Sequence, residues 1–207
     1  MLERFRAFFT KVISPIAHLL IRLHVSADAV TLVGTIGVCV GALAFYPQGH
    51  RLGGTIFITC FVFSDLIDGH MSRLSGTTSK FGAFLDSTLD RIGDGAVFGG
   101  LALYFAGPGD STLYTWLSLV CLVMGSVTSY ARARAEGLGF QAKVGIAERS
   151  DRLVSILVMT GFAGIFDLDL LIYITLWALA VASTITVGQR IWVVRKQAVA
   201  EAREATA

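Results

Sequence analysis

The sequence predicts an all-α polytopic membrane protein, with six transmembrane helices behind an N-terminal amphipathic interfacial helix in one domain. Three observations carry that expectation. Mean hydropathy is +0.68, and only 15% of the 207 residues are charged, against about 25% in soluble domains. Apolar windows of about 20 residues, the length that crosses a bilayer, recur six times. Gly at 22 with Pro at 3 suits closely packed membrane helices and excludes collagen-like or proline-rich chains. Lys and Arg total 17 against 15 acidic residues, a net charge of +2, too small for a nucleic-acid partner. Cys39, Cys60 and Cys121 lie in apolar runs without metal-finger spacing, which argues against a disulfide framework or a zinc site.

Along the chain, Leu2, Phe5, Phe8, Phe9, Val12, Ile13, Ile16, Leu19 and Leu20 form one apolar helical stripe. Arg4, Lys11, Ser14, His18 and Arg22 fall off it. Residues 1–23 are therefore expected to lie in the headgroup region, with Pro15 a point of kinking; a cytosolic helix packed on loops is the alternative. An unbroken apolar core and a small-residue cleavage site are both missing from this segment, so it does not read as a signal peptide. The expected spans are Ala27–Tyr46, Leu52–Arg73, Phe81–Phe105, Thr112–Ala131, Glu148–Phe166 and Leu170–Val194, a bundle over 27–194, followed by a cytoplasmic tail over 195–207. The fifth spans only with Arg149 and Arg152 at the interface or in a polar cavity. Pro47 and Gly49, then Gly107, Pro108 and Gly109, then Asp167 and Asp169 mark the short turns on one side. Basic residues cluster before the first span, in the second and fourth connections and after the last span; Arg51 is the single basic residue in the other connections. That asymmetry places both termini in the cytoplasm and the protein, multi-pass, in the cell membrane.

Asp65, Asp68, Asp86 and Asp90 fall inside expected spans. Each Asp at the centre of a membrane helix costs about 2.5–3.5 kcal/mol, so four uncompensated would cost about 10–14 kcal/mol. Spacings of three and four put each pair on one helix face. At 1.5 Å per residue, Asp65 and Asp68 lie about 7–12 Å from Arg73, and Asp86 and Asp90 about 9–15 Å from Lys80. The depths match, so four carboxylates are expected in one cytoplasmic cavity. Two divalent cations neutralise four such charges, and oxygen-only ligands suit Mg²⁺ or Mn²⁺. Such a pair fits phosphoryl transfer. Gly69 and Gly82 keep the backbone thin where a nucleotide approaches, and Arg73 offers a phosphate fork. A cation or proton relay is the competing reading.

These residues match the pattern D-x2-D-G-x2-A-R-x8-G-x3-D-x3-D through Asp65, Asp68, Gly69, Arg73, Gly82, Asp86 and Asp90, with Ser72 in the Ala position. A chance match is of order 10⁻⁶ per chain. The chain thus resembles the CDP-alcohol phosphotransferases. The resemblance implies a Mg²⁺-dependent enzyme, a homodimer, that displaces CMP from a CDP-lipid with an alcohol. By the same resemblance, Asp65, Asp68, Asp86 and Asp90 hold the metals, Asp90 is also the general base, and Gly69, Arg73, Ser79 and Gly82 line the CDP-diacylglycerol site. Asp28, Ala29, Val30 and Thr31 resemble a further nucleotide-contacting stretch, although Asp28 also suits a helix cap.

Arg132, Arg134, Arg149, Arg152 and Arg190 sit at the level where the cavity opens. Five guanidiniums there suggest a phosphate-bearing acceptor; the cytoplasmic excess of basic residues alone also accounts for Arg149. The stretches SYARARAEG, ERSDRLVSIL and QRIWVV are similar to the bacterial phosphatidylinositol-phosphate synthase branch of that family, which implies inositol phosphate as the acceptor. Phosphatidylglycerophosphate synthesis from glycerol 3-phosphate is the alternative. A cardiolipin-type synthase, a prenyltransferase and a cation transporter fit less well. Asp94 extends the acidic face or pairs with Arg91, and His70 is read as incidental.

Overall fold

The computed structural model describes residues 13–76 and 79–204, except for the side chain of Asp65. Every long element among the described residues is an α-helix, and no strand occurs among them. Residues 1–12, which carry five of the nine residues of the predicted amphipathic stripe, lie outside the described residues. The short apolar helix α1 covers Ile13–Arg22. It is followed by α2 (Ala27–Phe45), a 3-10 turn (Tyr46–Gln48), α3 (Arg51–Val62) and α4 (Ser64–Ser75). Next come α5 (Lys80–Ala106), α6 (Thr112–Gly137), α7 (Arg149–Phe166) and α8 (Leu170–Glu204).

Local chemistry sets these boundaries. Ser26, Ser79 and Ser111 cap α2, α5 and α6, each hydroxyl accepting from a backbone N–H three residues on. At the start of α7, the Glu148 N–H donates to the Asp151 carboxylate, half of a reciprocal capping box. Pro47 and a left-handed Gly49 (φ +81°) close the turn after α2.

Among the described residues, four helical stretches are long and apolar enough to cross a membrane: Ala27–Gln48, Arg51–Ser75, Thr112–Gly137 and Leu170–Glu204. The residues of the third and fifth expected spans form the helices α5 and α7. They carry Asp86, Asp90, Arg91 and Asp94, and Arg149, Asp151 and Arg152, and that charge keeps them out of the apolar group. The second expected span is interrupted at Phe63, where α3 ends and α4 begins. Ser64 Oγ donates back to the Phe61 carbonyl at 2.6 Å, a local bond that competes with the helix ladder. Gly34 of α2 leaves room for that hydroxyl, since any Cβ there would collide with it. The expected tail is helical as far as Glu204, so α8 runs for 35 residues, about 52 Å, well beyond the hydrocarbon thickness.

Packing closes a ring in the order α2, α3, α7, α8, α6, α5 and back to α2, with α4 against α2 and α3. Its interior holds Tyr46, Ile58, Phe98, Leu101, Phe105, Cys121, Ile156, Ile172 and Leu176, all fully or almost fully buried. At the end where α3 begins and α7 turns into α8, Arg51 pairs with Asp167 at 2.5 Å and with Asp169. The Tyr104 hydroxyl donates to Asp169 at 3.0 Å, and the Arg51 guanidinium lies over the Tyr104 ring. Arg51, the exception in the basic-residue pattern, is therefore matched locally by two carboxylates.

The α2–α5 crossing determines how the site helices meet. A Cβ on Gly100 of α5 would sit 2.5 Å from the Ala42 carbonyl oxygen, so no larger side chain fits without separating the two backbones. Gly100→Val is expected to destabilise the detergent-solubilised protein by about 1–3 kcal/mol. Thermal unfolding checks this, and an unchanged melting temperature would show that the crossing is not tight.

Candidate active site

The N-terminal ends of α2 and α5 and the middle of α4 enclose an open cleft of about 290 Å³. Asp28 and Thr31 reach it from α2, Asp68, Gly69, Ser72 and Arg73 from α4, and Ser79, Gly82 and Asp86 from the start of α5. The cleft thus gathers most of the motif. Ala29 and Val30 are not among its lining residues, because on α2 they lie between Asp28 and Thr31 and turn away.

Asp68 is the deepest carboxylate of the cleft, 7% exposed. Thr31 Oγ1 donates to its Oδ2 at 2.5 Å and also lies 3.1 Å from the Ala27 carbonyl, so α2 fixes the orientation of the α4 carboxylate. A buried ionised carboxylate needs such hydrogen bonds. Asp86, one helix away, is exposed to the cleft. The Arg73 guanidinium lies beside Gly69, its Nη1 3.6 Å from where a Cβ would be. At Gly82 a Cβ would come within 3.2 Å of Ser79 Oγ and 3.3 Å of Asp28 Oδ1. Asp28 therefore reaches across to α5. The cap of α2 comes from Ser26, so Asp28 is not the capping residue.

Asp90 lies one turn further along α5 and is not among the lining residues of the cleft. Its Oδ1 is 2.7 Å from Arg149 Nη1 and its Oδ2 is 3.4 Å from Arg91 Nη1. Asp94, a turn beyond, receives Arg149 Nε on one oxygen at 3.3 Å and Arg152 Nη2 on the other at 3.4 Å. Asp94 thus pairs with α7 through Arg149 and Arg152. Among the described residues no three Asp, Glu, His or Cys side chains come together as a ready metal cage. Asp68 and Asp86 share the cleft, and the Asp65 side chain lies outside the described residues. The donor chemistry fits a hard divalent cation: carboxylate and hydroxyl oxygens, with no thiolate or imidazole lining the cleft among the described residues.

The five arginines do not form one open cluster. Arg152 is 1% exposed and lies against the Ala147 and Gly125 carbonyls at 3.3 and 3.4 Å; its buried Nε has no partner among the described residues. Arg190 is 4% exposed and donates to the Val144 carbonyl at 2.9 Å and the Thr128 carbonyl at 2.5 Å. Arg132 pairs with Glu136 one turn on, and Arg134 is exposed. Sequence reasoning missed what holds the segment between α6 and α7 in place. Thr186 Oγ1 accepts from the Ile146 and Ala147 N–H groups, each at 3.2 Å. Gln197 exchanges two hydrogen bonds with the Gln141 backbone. No spacing signals a Thr or Gln in that role, since the bonds run between segments about 40 and 56 residues apart.

The chain is 52% identical over 214 residues to the phosphatidylinositol phosphate synthase of Streptomyces avermitilis, covering all of this chain and 87% of that one. The crystal structure of the Mycobacterium tuberculosis phosphatidylinositol phosphate synthase with CDP-DAG bound superimposes with a TM-score of 0.84 at 38% identity. That match covers 89% of this chain and 94% of the other. The same enzyme in complex with manganese and citrate gives 0.82 at 38% identity, covering 88% of each chain. The family model for CDP-alcohol phosphatidyltransferase matches residues 24–185, a span that takes in the whole cleft. The chain is a membrane enzyme of the CDP-alcohol phosphatidyltransferase family.

Proposed function

We propose that this protein transfers the phosphatidyl group of CDP-diacylglycerol to inositol phosphate, releasing CMP and forming phosphatidylinositol phosphate. The observation that carries this reading is the single cleft shared by Asp68, Gly69, Arg73, Gly82 and Asp86. The names of relatives that match almost the full chain support the acceptor. In this reading α5 and α7 also cross the membrane, giving six spans, with the cleft open to the cytoplasmic side of the cell membrane. Their lengths of 27 and 18 residues correspond to about 40 and 27 Å, and pairing Asp90 and Asp94 with Arg149 and Arg152 offsets the charge they bring. A homodimer belongs to the same reading.

Asp68 and Asp86, together with Asp65 and Asp90, would hold Mg²⁺ or Mn²⁺, two ions by charge. Bound there, the ions polarise the diphosphate and neutralise the charge that grows on the departing CMP oxygen. Thr31 keeps Asp68 aligned, and Arg73 forks a phosphate beside Gly69, where no side chain stands in the way. Gly82 and Asp28 shape the nucleotide wall of the cleft. The acceptor hydroxyl oxygen forms a new bond to the phosphorus that carries diacylglycerol, and the bond from that phosphorus to the CMP oxygen breaks. Asp90 takes the hydroxyl proton. The acceptor's own phosphate is held by the basic residues where α6, α7 and α8 meet. Arg152 supports this assignment, because its buried Nε still has a hydrogen bond to give.

Two outcomes test the reading. Asp90→Asn is expected to lower CMP release by about 10²-fold or more, with CDP-diacylglycerol binding and melting temperature kept near wild type; wild-type turnover would remove Asp90 from the chemistry. With Mg²⁺ and CDP-diacylglycerol micelles, inositol phosphate is expected to drive CMP release at least about tenfold faster than glycerol 3-phosphate. That factor corresponds to about 1.4 kcal/mol of transition-state discrimination. A faster rate with glycerol 3-phosphate would reassign the acceptor.

A further inference from the structure

Resting on the assignment of Asp90 as a metal ligand, we propose that Arg149 is an exchangeable counter-ion of Asp90, and that Asp94 takes Arg149 over when Asp90 turns to a divalent cation. Both Asp90 oxygens face guanidiniums, Arg149 on Oδ1 at 2.7 Å and Arg91 on Oδ2 at 3.4 Å. A guanidinium and a divalent cation compete for the same carboxylate oxygen and repel each other there, so a cation seated on Oδ1 displaces Arg149. Arg91 is held on its own helix by a second bond, Nη1 to the Ser87 carbonyl at 2.6 Å. Arg149 is already shared, its Nε lying 3.3 Å from Asp94 Oδ1. It can leave Asp90 without losing its charge partner.

Asp94 is placed to receive it. It stands four residues after Asp90 on the same face of α5. Its other oxygen is held by Arg152, whose guanidinium is anchored to the Ala147 and Gly125 carbonyls. The backbone from which Arg149 projects is fixed as well, because Thr186 grips the two N–H groups just before α7. The exchange therefore needs side-chain movement only. The position of Arg149 also runs against its helix: it is the first residue of α7, where the helix dipole favours anions. What favours an arginine there is the pair of carboxylates across from it on α5. Empty of metal, the site keeps Asp90 neutralised; loaded, it keeps Arg149 neutralised.

The test is Mn²⁺ binding to the full-length detergent-solubilised protein without substrates, read by loss of the free-ion electron paramagnetic resonance signal. Removing the competing cation in Arg149→Gln is expected to tighten Mn²⁺ binding by about three- to tenfold. Asp94→Asn, which takes the second carboxylate away from Arg149, is expected to weaken it by a similar factor, and Arg149→Lys to stay close to wild type. A merely structural salt bridge would move Arg149→Gln and Asp94→Asn in the same direction or leave both unchanged, and either result overturns the exchange while leaving the metal site standing. Should Asp94→Asn fail to fold, Arg149→Gln against Arg149→Lys decides alone, equal affinities overturning the proposal. Wild-type protein that binds no Mn²⁺ overturns the underlying assignment of the carboxylates as ligands, and the exchange with it.

Discussion

Carboxylates set among apolar helices must be matched by positive charge or by hydrogen bonds, and the rest of this structure follows from how that match is made. The chain uses different partners at different depths along α5. Near its start, Asp86 opens to a cleft that also holds Asp68, which is fixed by the Thr31 hydroxyl. Further along, Asp90 and Asp94 are matched by Arg91, Arg149 and Arg152. The transition between the two regimes falls at Asp90, the residue to which the family resemblance assigns the proton transfer. On the proposed assignment, a carboxylate held between Arg91 and Arg149 can change partners at modest cost, which would suit a group that binds a cation and accepts a proton.

The scaffold serves that charge arrangement. The close crossing at Gly100 brings α2 against α5, so that Asp28 and Thr31 reach the cleft from one side and Ser79, Gly82 and Asp86 from another. The break at Phe63 separates α4 from α3, and α4 carries Asp68, Gly69 and Arg73 as a short helix of its own. On the far side, α8 holds the α6–α7 connection through Thr186, Arg190 and Gln197, which sets where α7 begins and so where Arg149 and Arg152 stand. At the other end of the bundle, Arg51 with Asp167 and Asp169 follows the same rule of local neutralisation.

Much of this was legible in the sequence, for physical reasons. Carboxylates three and four apart in apolar segments announce a shared face and a need for cations, and the cleft lining repeats most of the motif. Span limits fall close to the structural helices, as with Phe81–Phe105 against Lys80–Ala106, because Ser caps and Pro or Gly turns are local signals. Contacts that run between distant segments were not legible. The arginine cluster read as one anion site, yet Arg152 and Arg190 are largely committed to backbone carbonyls of α6 and of the α6–α7 connection, which compete for guanidinium donors. The interruption at Phe63 depends on one Ser64 back-bond and the space beside Gly34, and a hydropathy window averages over both. The basic residues after the last expected span, Arg195, Lys196 and Arg203, suggested a tail, although a helix that has left the hydrocarbon tolerates them freely.

The most direct measurement is an anomalous difference map from crystals of this chain grown with Mn²⁺. The account predicts a peak between the carboxylates of Asp68 and Asp86, with Arg149 turned from Asp90 toward Asp94. Density showing no ion in that cleft, and Arg149 still seated on Asp90 at saturating Mn²⁺, would contradict it.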